Sequence, residues 1–498
     1  MSVSALTIDN SYARVVASGL LLGLSFPPSP AYPLAWFALI PLLQCWNRAS
    51  AARVILRQAA GAMIIAALVA FSWTLGHVFW IPALASLAGL LLLSVLVAVP
   101  FSLALPIRKR YGRAAGSLAL IGFALAMEWL LHQGPWAFPW MLLGHTQAEA
   151  FPFNQMAALG GVGGLSLWVW LLNLSGWAVL QSSHQRGAGM AVAVLLAAPL
   201  LFGASRDVRS TKPVGTTTVR LVQPAVPAPN WADLSDTARV DALIAQSAPS
   251  NSVAADLIIW PETALPPRAV DGGSRVQRWV NQSGAALLTG AIETAPTSSN
   301  VYFNSALLFR PERPVQAYRK QRLVPFAEQV PFAEQIAALD AFAVPAGGVH
   351  GYRRGKSKPL LRTNGASWGV FICFESVFSS LGQRYARAGA DALVTLAQDG
   401  WWDTARAPRQ HLAFTRLRAI ETHRAVVLVT VSGITTLIGP MGRTGPAISW
   451  MRAGTKTTRV PHFRTTTIYS TTGPVVYWLA ISSSALWGMF YWILRLTG

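Results

Sequence analysis

The sequence predicts a membrane α-helical bundle of about eight transmembrane helices joined to one water-exposed α/β domain. Of the 498 residues, 53% are hydrophobic and only 12% are charged, whereas soluble domains carry roughly a quarter charged residues. Apolar runs flank one polar region that alternates β-like and helical stretches, which favours a layered α/β fold. The expected division is a transmembrane bundle at 1–210, the α/β domain at 211–470 and a last transmembrane helix at 471–498.

The apolar runs define the predicted bundle, because a bilayer crossing needs roughly 17–25 residues. Seven runs precede the polar region and an eighth follows it, at 12–27, 33–47, 58–76, 81–105, 114–131, 158–181, 187–204 and 474–494. The first two are short and share a proline-rich break, so a re-entrant pair is an alternative to two crossings. No small-residue cleavage site follows the first run, and further apolar runs come directly after it, so we expect a retained span rather than a signal peptide.

Basic residues alternate between the loops and predict the orientation. Loops after the second, fourth and sixth runs carry Arg48, Arg53, Arg57, Arg108, Lys109, Arg110, Arg113 and Arg186. The loops after the first, third and fifth runs contain no Lys or Arg. By the positive-inside rule the N-terminus is cytoplasmic and the α/β domain lies on the outer face. In a bacterium this is a multi-pass protein of the inner (cytoplasmic) membrane whose domain faces the periplasm.

The net charge of +20 does not indicate nucleic-acid binding. No array of basic and aromatic side chains of the kind that binds single strands is present, and the scattered basic residues suit anionic lipid headgroups instead. The eight histidines have no ligand spacing and no second cysteine accompanies Cys373, so neither a metal ion nor a cofactor is expected.

Short β-like runs bounded by turn residues define the α/β domain. They are Thr218–Val222, Leu257–Trp260, Ala286–Gly290, Ser305–Phe309, Gly369–Cys373, Ala392–Leu396 and Val426–Val431. Helical stretches lie between them, for example Asp236–Ala248 and His411–Thr422.

Three residues near the ends of these runs could carry chemistry. Cys373 closes a strand, where α/β folds commonly expose reactive groups. The alternative is a buried, inert cysteine. Against that alternative, an unpaired thiol on an oxidising face is exposed to oxidation, so its presence favours a functional role. Glu262 also follows a strand and could cap a helix or act as a general base. Lys320 lies in an ordinary solvated basic loop by charge pattern alone, and could stabilise an oxyanion only in combination with the other two.

The segments around these residues, in this order, resemble the Glu–Lys–Cys signature of the nitrilase superfamily. The helical bundle ahead of them narrows the resemblance to the apolipoprotein N-acyltransferase family. The matching motifs are Phe138-Pro139-Trp140, Gly144-His145, Gly160 through Ser166, Val222-Gln223-Pro224, Trp260-Pro261-Glu262-Thr263, Tyr302-Phe303-Asn304-Ser305, Lys320 through Pro331, Ile372-Cys373-Phe374-Glu375, and Gln410-His411 running into Arg416 through Ala419.

The resemblance implies an αββα sandwich on the periplasmic face and a two-step acyl transfer. Glu262 would take the thiol proton, Cys373 would attack the sn-1 ester of a phospholipid donor, typically phosphatidylethanolamine, and Lys320 would hold the oxyanion. The resulting thioester would acylate the N-terminal amine of a diacylglyceryl-cysteine apolipoprotein. A free thiol ionises near pH 8.5 and therefore needs a neighbouring base or cation at neutral pH. A monomer is expected.

The same resemblance assigns six further residues. Glu328 and Glu375 would support Lys320 or the incoming amine, with a structural salt bridge as the alternative. Trp231, Asn304, Phe374 and Trp401 would lie at the substrate site, and core packing is the alternative for the aromatic residues. A lid within Pro325–Gly351, rich in Phe and Ala, is a further prediction.

Two segments depart from the family pattern beside the cysteine, namely Ala397 through Trp402 and Val431 through Thr435. Three alternatives therefore stay open: a nitrilase-type acyltransferase with another acceptor, a membrane-anchored amidase, and a scaffold or transporter with a degenerate outer domain. For the transporter, Glu128 and His132 near the fifth run's outer end are the residues to test, because charged residues deep in spans mark ion pathways.

Overall fold

A computed structural model of the chain describes residues 10–78, 80–181, 185–208, 212–248, 253–266, 275–295, 298–330, 332, 336, 351–357 and 359–496. Four of the described helices are long and apolar enough to cross a membrane, namely Ala52–Gly76, Pro82–Leu130, Phe153–Val179 and Gln185–Arg206. Two shorter apolar helices, Ser11–Leu24 and Val475–Met489, lie at the two ends of the described chain. The predicted number of eight crossings stays a prediction.

The longest helix, Trp80–Leu130, holds two of the predicted runs. It is interrupted at Gly112, whose φ of 85° lies in the left-handed region that only glycine enters without strain. Past this break Gly116 packs directly against Arg108, so the chain doubles back. The fourth and fifth predicted runs are therefore the two arms of one interrupted helix.

The second predicted run, 33–47, is not one helix. It is divided between a 3-10 turn, Tyr32–Trp36, and a nine-residue helix, Ile40–Arg48. Because prolines occupy positions 33 and 41, the main chain lacks two N–H donors that a continuous helix would use. Neither piece has the roughly 17 residues that a crossing needs, so two crossings in this part of the chain stay a prediction.

The described part of the α/β domain contains two sheets. The strands are β1 Gly215–Gln223, β2 Leu257–Ile259, β3 Ala286–Ala295, β4 Ser298–Arg310, β5 Arg313–Arg319, β6 Leu361–Thr363, β7 Ala366–Ile372, β8 Ala392–Ala397, β9 Val426–Thr430, β10 Thr436–Ile438 and β11 Gly454–His462. A six-stranded sheet has the order β11-β1-β2-β3-β4-β5, and a five-stranded sheet has the order β10-β9-β8-β7-β6. In the centre of each sheet the strands run parallel, β1-β2-β3 and β7-β8-β9.

The two sheets pack face to face over one apolar core. Its members come from alternate positions of both sheets and include Val219, Leu221, Ile259, Leu288, Leu308, Val370, Ile372, Val394, Leu396, Val427 and Val429. Strands buried on both faces need helices on the outer side as well. This explains why the central strands are near-continuous apolar runs that sequence inspection can find.

Helices cover both outer faces of the sheets, so the domain has four layers. On the first sheet lie Ala228–Asp233, Asp236–Gln246 and Arg275–Ser283. On the second lie Ser379–Arg387 and Arg406–Thr422, and the turn Ile468–Thr472 leads into the last helix, Val475–Leu496. The expected αββα arrangement is confirmed.

The helix Arg406–Thr422 lies between the second sheet and the helical bundle. One apolar cluster joins Phe414 and Leu417 of this helix to Leu142 and Leu165 of the bundle. Gln410 adds polar links, because its amide donates to the Pro27 carbonyl at 2.7 Å and accepts from two bundle tryptophans. At the far end the Glu421 carboxylate accepts from the Val162 N–H at 3.0 Å. The domain is therefore packed and hydrogen-bonded onto the bundle along a whole helix.

Candidate active site

Cys373 stands at the point where the central strand β7 becomes a tight turn. The strand ends at Ile372, and Cys373 begins the 3-10 turn Cys373–Val377 with a φ of 51°. A residue with a Cβ held in this region costs of order 1–3 kcal/mol and is found where surrounding structure fixes it. The thiol is unpaired and half-buried, so the alternative of a fully buried, inert cysteine does not describe it.

Glu262 is placed by the end of β2 and by a glycine in the neighbouring strand. The N–H of Gly290 donates to the Pro261 carbonyl at 3.0 Å. A Cβ on Gly290 would lie 2.5 Å from the Glu262 Cα, so any larger residue would displace the glutamate. The side chain of Glu262 is buried and accepts from the side chains of Asn304 and Lys320. No helix begins in the described residues 263–266 that follow it, so the alternative of a helix cap is not supported.

Lys320 directly follows β5 and reaches into the domain. Its side chain is 1% exposed, and its Nζ lies 2.8 Å from Glu328 Oε1 and 3.4 Å from Glu262 Oε1. The alternative of a solvated basic loop is therefore wrong for this residue. Charge pattern could not show the burial, because Glu262 comes from another segment and Glu328 is brought to Lys320 by the fold of the loop between them.

Asn304 holds the two carboxylates together. Its Nδ2 donates to Glu262 Oε1 at 2.8 Å and to Glu328 Oε1 at 3.0 Å. The other oxygen of Glu328 accepts from the Val324 N–H at 2.8 Å. Glu262, Lys320, Glu328 and Asn304 thus form one buried network, in which each carboxylate has a cationic and a neutral donor.

Glu375 connects the cysteine turn to the lysine segment. Its Oε1 accepts from the Gln321 N–H at 2.7 Å and from the Arg322 N–H at 3.1 Å. Its Oε2 accepts from the Ile372 N–H at 2.9 Å, and the Tyr318 hydroxyl donates to Oε1 at 2.7 Å. A carboxylate two residues past Cys373 therefore binds the main chain just after Lys320 and the Tyr318 hydroxyl just before it. The alternative of a salt bridge is wrong for Glu375, because its described donors are main-chain N–H groups and one hydroxyl.

Burial and charge set the protonation states at this site. Burial alone lowers the pKa of Lys320, but the charges of Glu328 and Glu262 outweigh it and hold that pKa above its ordinary value, so Lys320 is a permanent cation. Burial raises the pKa of Glu262, and the Lys320 charge opposes that rise. Burial, reinforced by the Glu262 charge, also raises the pKa of the Cys373 thiol well above its usual range. The resting thiol is protonated, with a base of raised proton affinity nearby.

An aromatic cluster lies between the cysteine turn and the bundle. Phe374 stacks on Trp140 at a centroid distance of 6.1 Å with planes 9° apart, and on Phe138 at 5.6 Å. Trp140 donates its indole N–H to Gln410 Oε1 at 2.8 Å, and Trp73 donates to the same oxygen at 3.0 Å. The residue after Cys373 thus sits on aromatic rings contributed by the bundle.

The remaining predicted substrate residues lie around a small cavity. The cavity has a volume of about 30 Å³ and is lined by Glu262, Thr263, Asn304, Glu328, Tyr352, Gln398 and Trp401. Trp401 also stacks on His77 of the bundle at 5.9 Å. Trp231 is buried and donates to the Thr263 carbonyl at 3.3 Å, so it packs behind the Glu262 segment. Contact of these residues with substrate stays a prediction.

The two segments that depart from the family pattern meet beside this cavity. The Ser432 hydroxyl donates to Gln398 Oε1 at 3.3 Å, and Gln398 lines the cavity. The two departures are therefore one local change in the wall of the pocket. Most of the predicted lid, 325–351, lies outside the described residues.

Within the described part of the chain, no group of three or more His, Cys, Asp or Glu side chains is arranged to hold a metal ion. The Lys320 ammonium already occupies the position between Glu262 and Glu328 that a cation would need. These residues therefore do not fit a metal.

Comparison with known protein families shows which family this chain is related to. Residues 18–175 match the family model of the apolipoprotein N-acyltransferase N-terminal domain, and residues 218–468 match that of the carbon-nitrogen hydrolases. An apolipoprotein N-acyltransferase of Chlorobaculum tepidum is 30% identical over 492 residues, which cover 91% of each chain.

The chain belongs to the apolipoprotein N-acyltransferase family.

A second relative agrees with this membership. An apolipoprotein N-acyltransferase of Geobacter metallireducens is 28% identical over 496 residues, covering 95% of this chain and 94% of the relative. Among solved structures, an amidase from Nesterenkonia sp. AN1 matches 52% of this chain and 97% of its own, at 15% identity and a TM-score of 0.39. As an apolipoprotein N-acyltransferase family member, the protein is a membrane acyltransferase of lipoprotein maturation with a nitrilase-type domain.

Sequence inspection of this acyltransferase assigned no role to several residues that the structure brings to the site. Tyr318 donates to Glu375, Trp140 supports Phe374, and His411 contacts the Cys373 carbonyl. The available signal was the concentration of aromatic residues in Phe138-Pro139-Trp140 between two apolar runs. Nothing in the local sequence shows that this loop meets a turn more than 200 residues later.

Proposed function

We propose that the protein transfers an acyl chain from a phospholipid, through a thioester on Cys373, to the N-terminal amine of diacylglyceryl-cysteine apolipoproteins. The proposed donor is phosphatidylethanolamine, attacked at its sn-1 ester. The observation that carries the proposal is the buried network of Glu262, Lys320 and Glu328 within electrostatic range of the Cys373 thiol. Family membership supplies the reaction class.

In the first half-reaction Glu262 accepts the thiol proton as Cys373 sulfur attacks the ester carbonyl. The carbonyl oxygen becomes an oxyanion, which the Lys320 ammonium stabilises. Collapse of the intermediate forms the C–S bond and breaks the ester C–O bond. The glyceryl alkoxide takes the proton back from Glu262 and leaves as lysophospholipid. Because proton transfer accompanies attack, the thiol's raised pKa is compatible with catalysis.

In the second half-reaction the acceptor amine attacks the thioester carbonyl. Glu262 takes a proton from the nitrogen, and Lys320 again holds the oxyanion. The C–S bond breaks, the amide remains on the apolipoprotein, and the thiolate of Cys373 recovers its proton from Glu262. Glu328 keeps Lys320 in place throughout, and Glu375 fixes the main chain around it.

The aromatic cluster supports a membrane-derived donor. Phe138, Trp140 and Phe374 form a continuous apolar surface from the bundle to the cysteine turn. An acyl chain could lie on such a surface without exposing methylene groups to water, and each buried methylene contributes about 0.8 kcal/mol. A soluble acyl donor would not need this surface.

The topology is part of the same proposal. We place the bundle at 1–210, the catalytic domain at 211–470 on the periplasmic face and a last crossing at 471–498, in a monomer of the inner membrane. Lys456 of the domain is partly exposed, and Arg186, the second residue of the bundle helix Gln185–Val208, is exposed. In a background without Cys45 and Cys373, an impermeant maleimide should label Lys456→Cys but not Arg186→Cys when the outer membrane alone is opened. Labelling of Arg186→Cys before Lys456→Cys would indicate the opposite orientation in the membrane.

Intact mass spectrometry tests the chemistry. Purified protein is incubated in detergent with a phospholipid carrying a labelled sn-1 chain, beside a Cys373→Ala control. The expected result is a hydroxylamine-sensitive adduct on Cys373 that moves to a diacylglyceryl-cysteine peptide. No adduct with accessible lipid would refute the proposal and leave a scaffold or transporter.

One observation favours an acceptor other than the apolipoprotein amine. Gln398 and Ser432, which replace the family's usual residues, contact each other in the pocket wall. If the adduct forms but moves only to other amines or to water, the enzyme is a divergent acyltransferase or an amidase. For the transporter alternative, Glu128 gives no support, because its carboxylate is bound by Leu143 N–H, Ser166 and Tyr477 inside the bundle.

A further inference from the structure

A histidine and an aspartate lie directly beneath the cysteine turn and have no part in the mechanism so far. His411 belongs to the helix Arg406–Thr422, and Asp399 follows strand β8. Both side chains are almost completely buried. The imidazole Nδ1 lies 3.0 Å from Asp399 Oδ1, which is hydrogen-bonding distance for a donating N–H.

The other ring nitrogen of His411 reaches the nucleophile's own turn. Its Nε2 lies 3.2 Å from the Cys373 carbonyl oxygen and 2.8 Å from the Ser376 hydroxyl. The Ser376 hydroxyl also lies 3.1 Å from the same carbonyl. A carbonyl oxygen only accepts hydrogen bonds, so the contact with Nε2 is favourable when that nitrogen carries a proton.

Asp399 explains why both ring nitrogens would be protonated. Its carboxylate is buried, and Oδ2 has no hydrogen-bond partner among the described residues. Gly433 packs directly on this oxygen, where a Cβ would overlap it. A buried carboxylate with so few donors needs a countercharge, and His411 is the group that contacts it.

Electrostatics supports the same protonation state. Burial lowers the pKa of His411, but the Asp399 charge, its hydrogen bond and the Cys373 carbonyl outweigh it, so the pKa is raised above its ordinary value. Glu262 acts on His411 in the same direction. With a raised pKa the ring is protonated below that value and loses its proton as the pH rises through it.

We propose that Asp399 and His411 form a carboxylate–imidazolium pair that holds Cys373 in its left-handed backbone conformation by donating to its carbonyl oxygen. Both are positioning residues, because neither touches substrate. The inference rests on the proposed role of Cys373 as nucleophile. A main chain that relaxed out of this conformation would move the sulfur away from Glu262 and Lys320.

Alkylation of Cys373 by iodoacetamide measures this coupling without any lipid. In a Cys45→Ala background Cys373 is the one remaining thiol of the sequence's two, and its alkylation rate is followed from about pH 6 to pH 10, the range in which thiols ionise. The variants are Asp399→Asn, His411→Gln and the double variant. His423→Gln is the matched control, since His423 is a buried histidine that caps the same helix at its other end.

Each single variant should lower the alkylation rate at neutral pH by about tenfold, as expected for loss of a charge-assisted hydrogen bond. The double variant should be no slower than the worse single one, because two residues acting as a unit are not additive. Both singles should change the shape of the pH profile, whereas His423→Gln should stay within about twofold of the parent.

Unchanged pH profiles in folded Asp399→Asn and His411→Gln would overturn the inference, and so would additive effects in the double variant. Thermal unfolding of each variant separates lost folding from lost coupling. The test is independent of acyl transfer: a parent thiol that is alkylated but never acylated by phospholipid refutes the proposed function alone. A variant acylated at the parental rate in spite of slow alkylation would refute the positioning role alone.

Discussion

The carboxylate of Glu375 accepts a hydrogen bond of 2.7 Å from the main-chain N–H of Gln321. Glu375 lies two residues after the cysteine, and Gln321 lies one residue after the lysine. The bond therefore fixes the distance between two catalytic candidates that are 53 positions apart in the sequence. It couples an edge strand of one sheet to a central strand of the other.

Glu375→Gln should lower the rate of acyl-adduct formation by about 10²-fold, since displacing a catalytic group by about 1 Å has effects of that size. The glutamine NH₂ group would replace one of the two oxygens that now accept from main-chain N–H groups, so a donor would face a donor. Tyr318→Phe is the matched control: it deletes one donor and keeps the main-chain bonds, so a loss of no more than about tenfold is expected. Equal losses in the two variants would contradict this account of Glu375.

Gly290→Ala should disturb Glu262 although residue 290 has no side chain to contribute. The new Cβ would stand 2.5 Å from the Glu262 Cα, and overpacking of this kind destabilises by about 1–3 kcal/mol. The thermal unfolding temperature and the rate of adduct formation should both fall. Gly164→Ala is the control, because its Cβ would have no heavy atom within 4 Å. An unfolding temperature and an adduct rate equal to those of the parent would show that β3 moves to make room for the new Cβ, and would contradict the prediction.

The rate of adduct formation should fall on acidification at a pH above the ordinary glutamate value of about 4.3. The base must be ionised, and burial raises the pKa of Glu262, so its ionised form is lost as the pH falls through that raised value. The charge of Glu328 contributes to the rise. Glu328→Gln should therefore move the acidic limb of the residual activity to lower pH.

Single-turnover rates against pH provide the measurement. Glu293→Gln is the control, since Glu293 pairs with Arg319 at 3.2 Å and should leave the limb in place. A limb that moves to higher pH in Glu328→Gln would mean that Glu262 is not the titrating base.

Gln410→Leu should impair acylation by vesicle lipid more than alkylation by a water-soluble reagent. The substitution removes the acceptor of Trp73 and Trp140 and the donor to Pro27, and each polar group left buried without a partner costs about 1–3 kcal/mol. Gln383→Leu removes one link to the Ser470 carbonyl and serves as the control. Parallel loss of both reactions in Gln410→Leu would indicate general unfolding instead.

The central strands of both sheets were predictable because they are buried on both faces. The runs at 257–260 and 392–396 coincide with β2 and β8 to within one residue. The strands β5 and β11 were missed because they lie at sheet edges, where polar and basic residues such as those of Arg313–Arg319 are tolerated. Periodicity reports burial, and an edge strand is only partly buried.

The residues of the candidate site were found by motif, and their surroundings were not. Cys373 was expected as the last residue of the strand, whereas it begins the turn with a positive φ. Lys320 looks solvated by charge pattern because its partners Glu262 and Glu328 are brought to it by β2 and by a loop. Contacts across layers depend on how the sheets are ordered, which local sequence does not encode.

The helix that carries Gln410 and Glu421 is clamped to the bundle at both ends. The Cys373 thiol is consequently held at a fixed height relative to the bundle by contacts at both ends of this helix. For the proposed phospholipid donor, this fixed height would be the distance that the ester must travel out of the membrane, whatever the length of its acyl chain. A nitrilase-type domain attached through a flexible linker would not hold its cysteine at a fixed height.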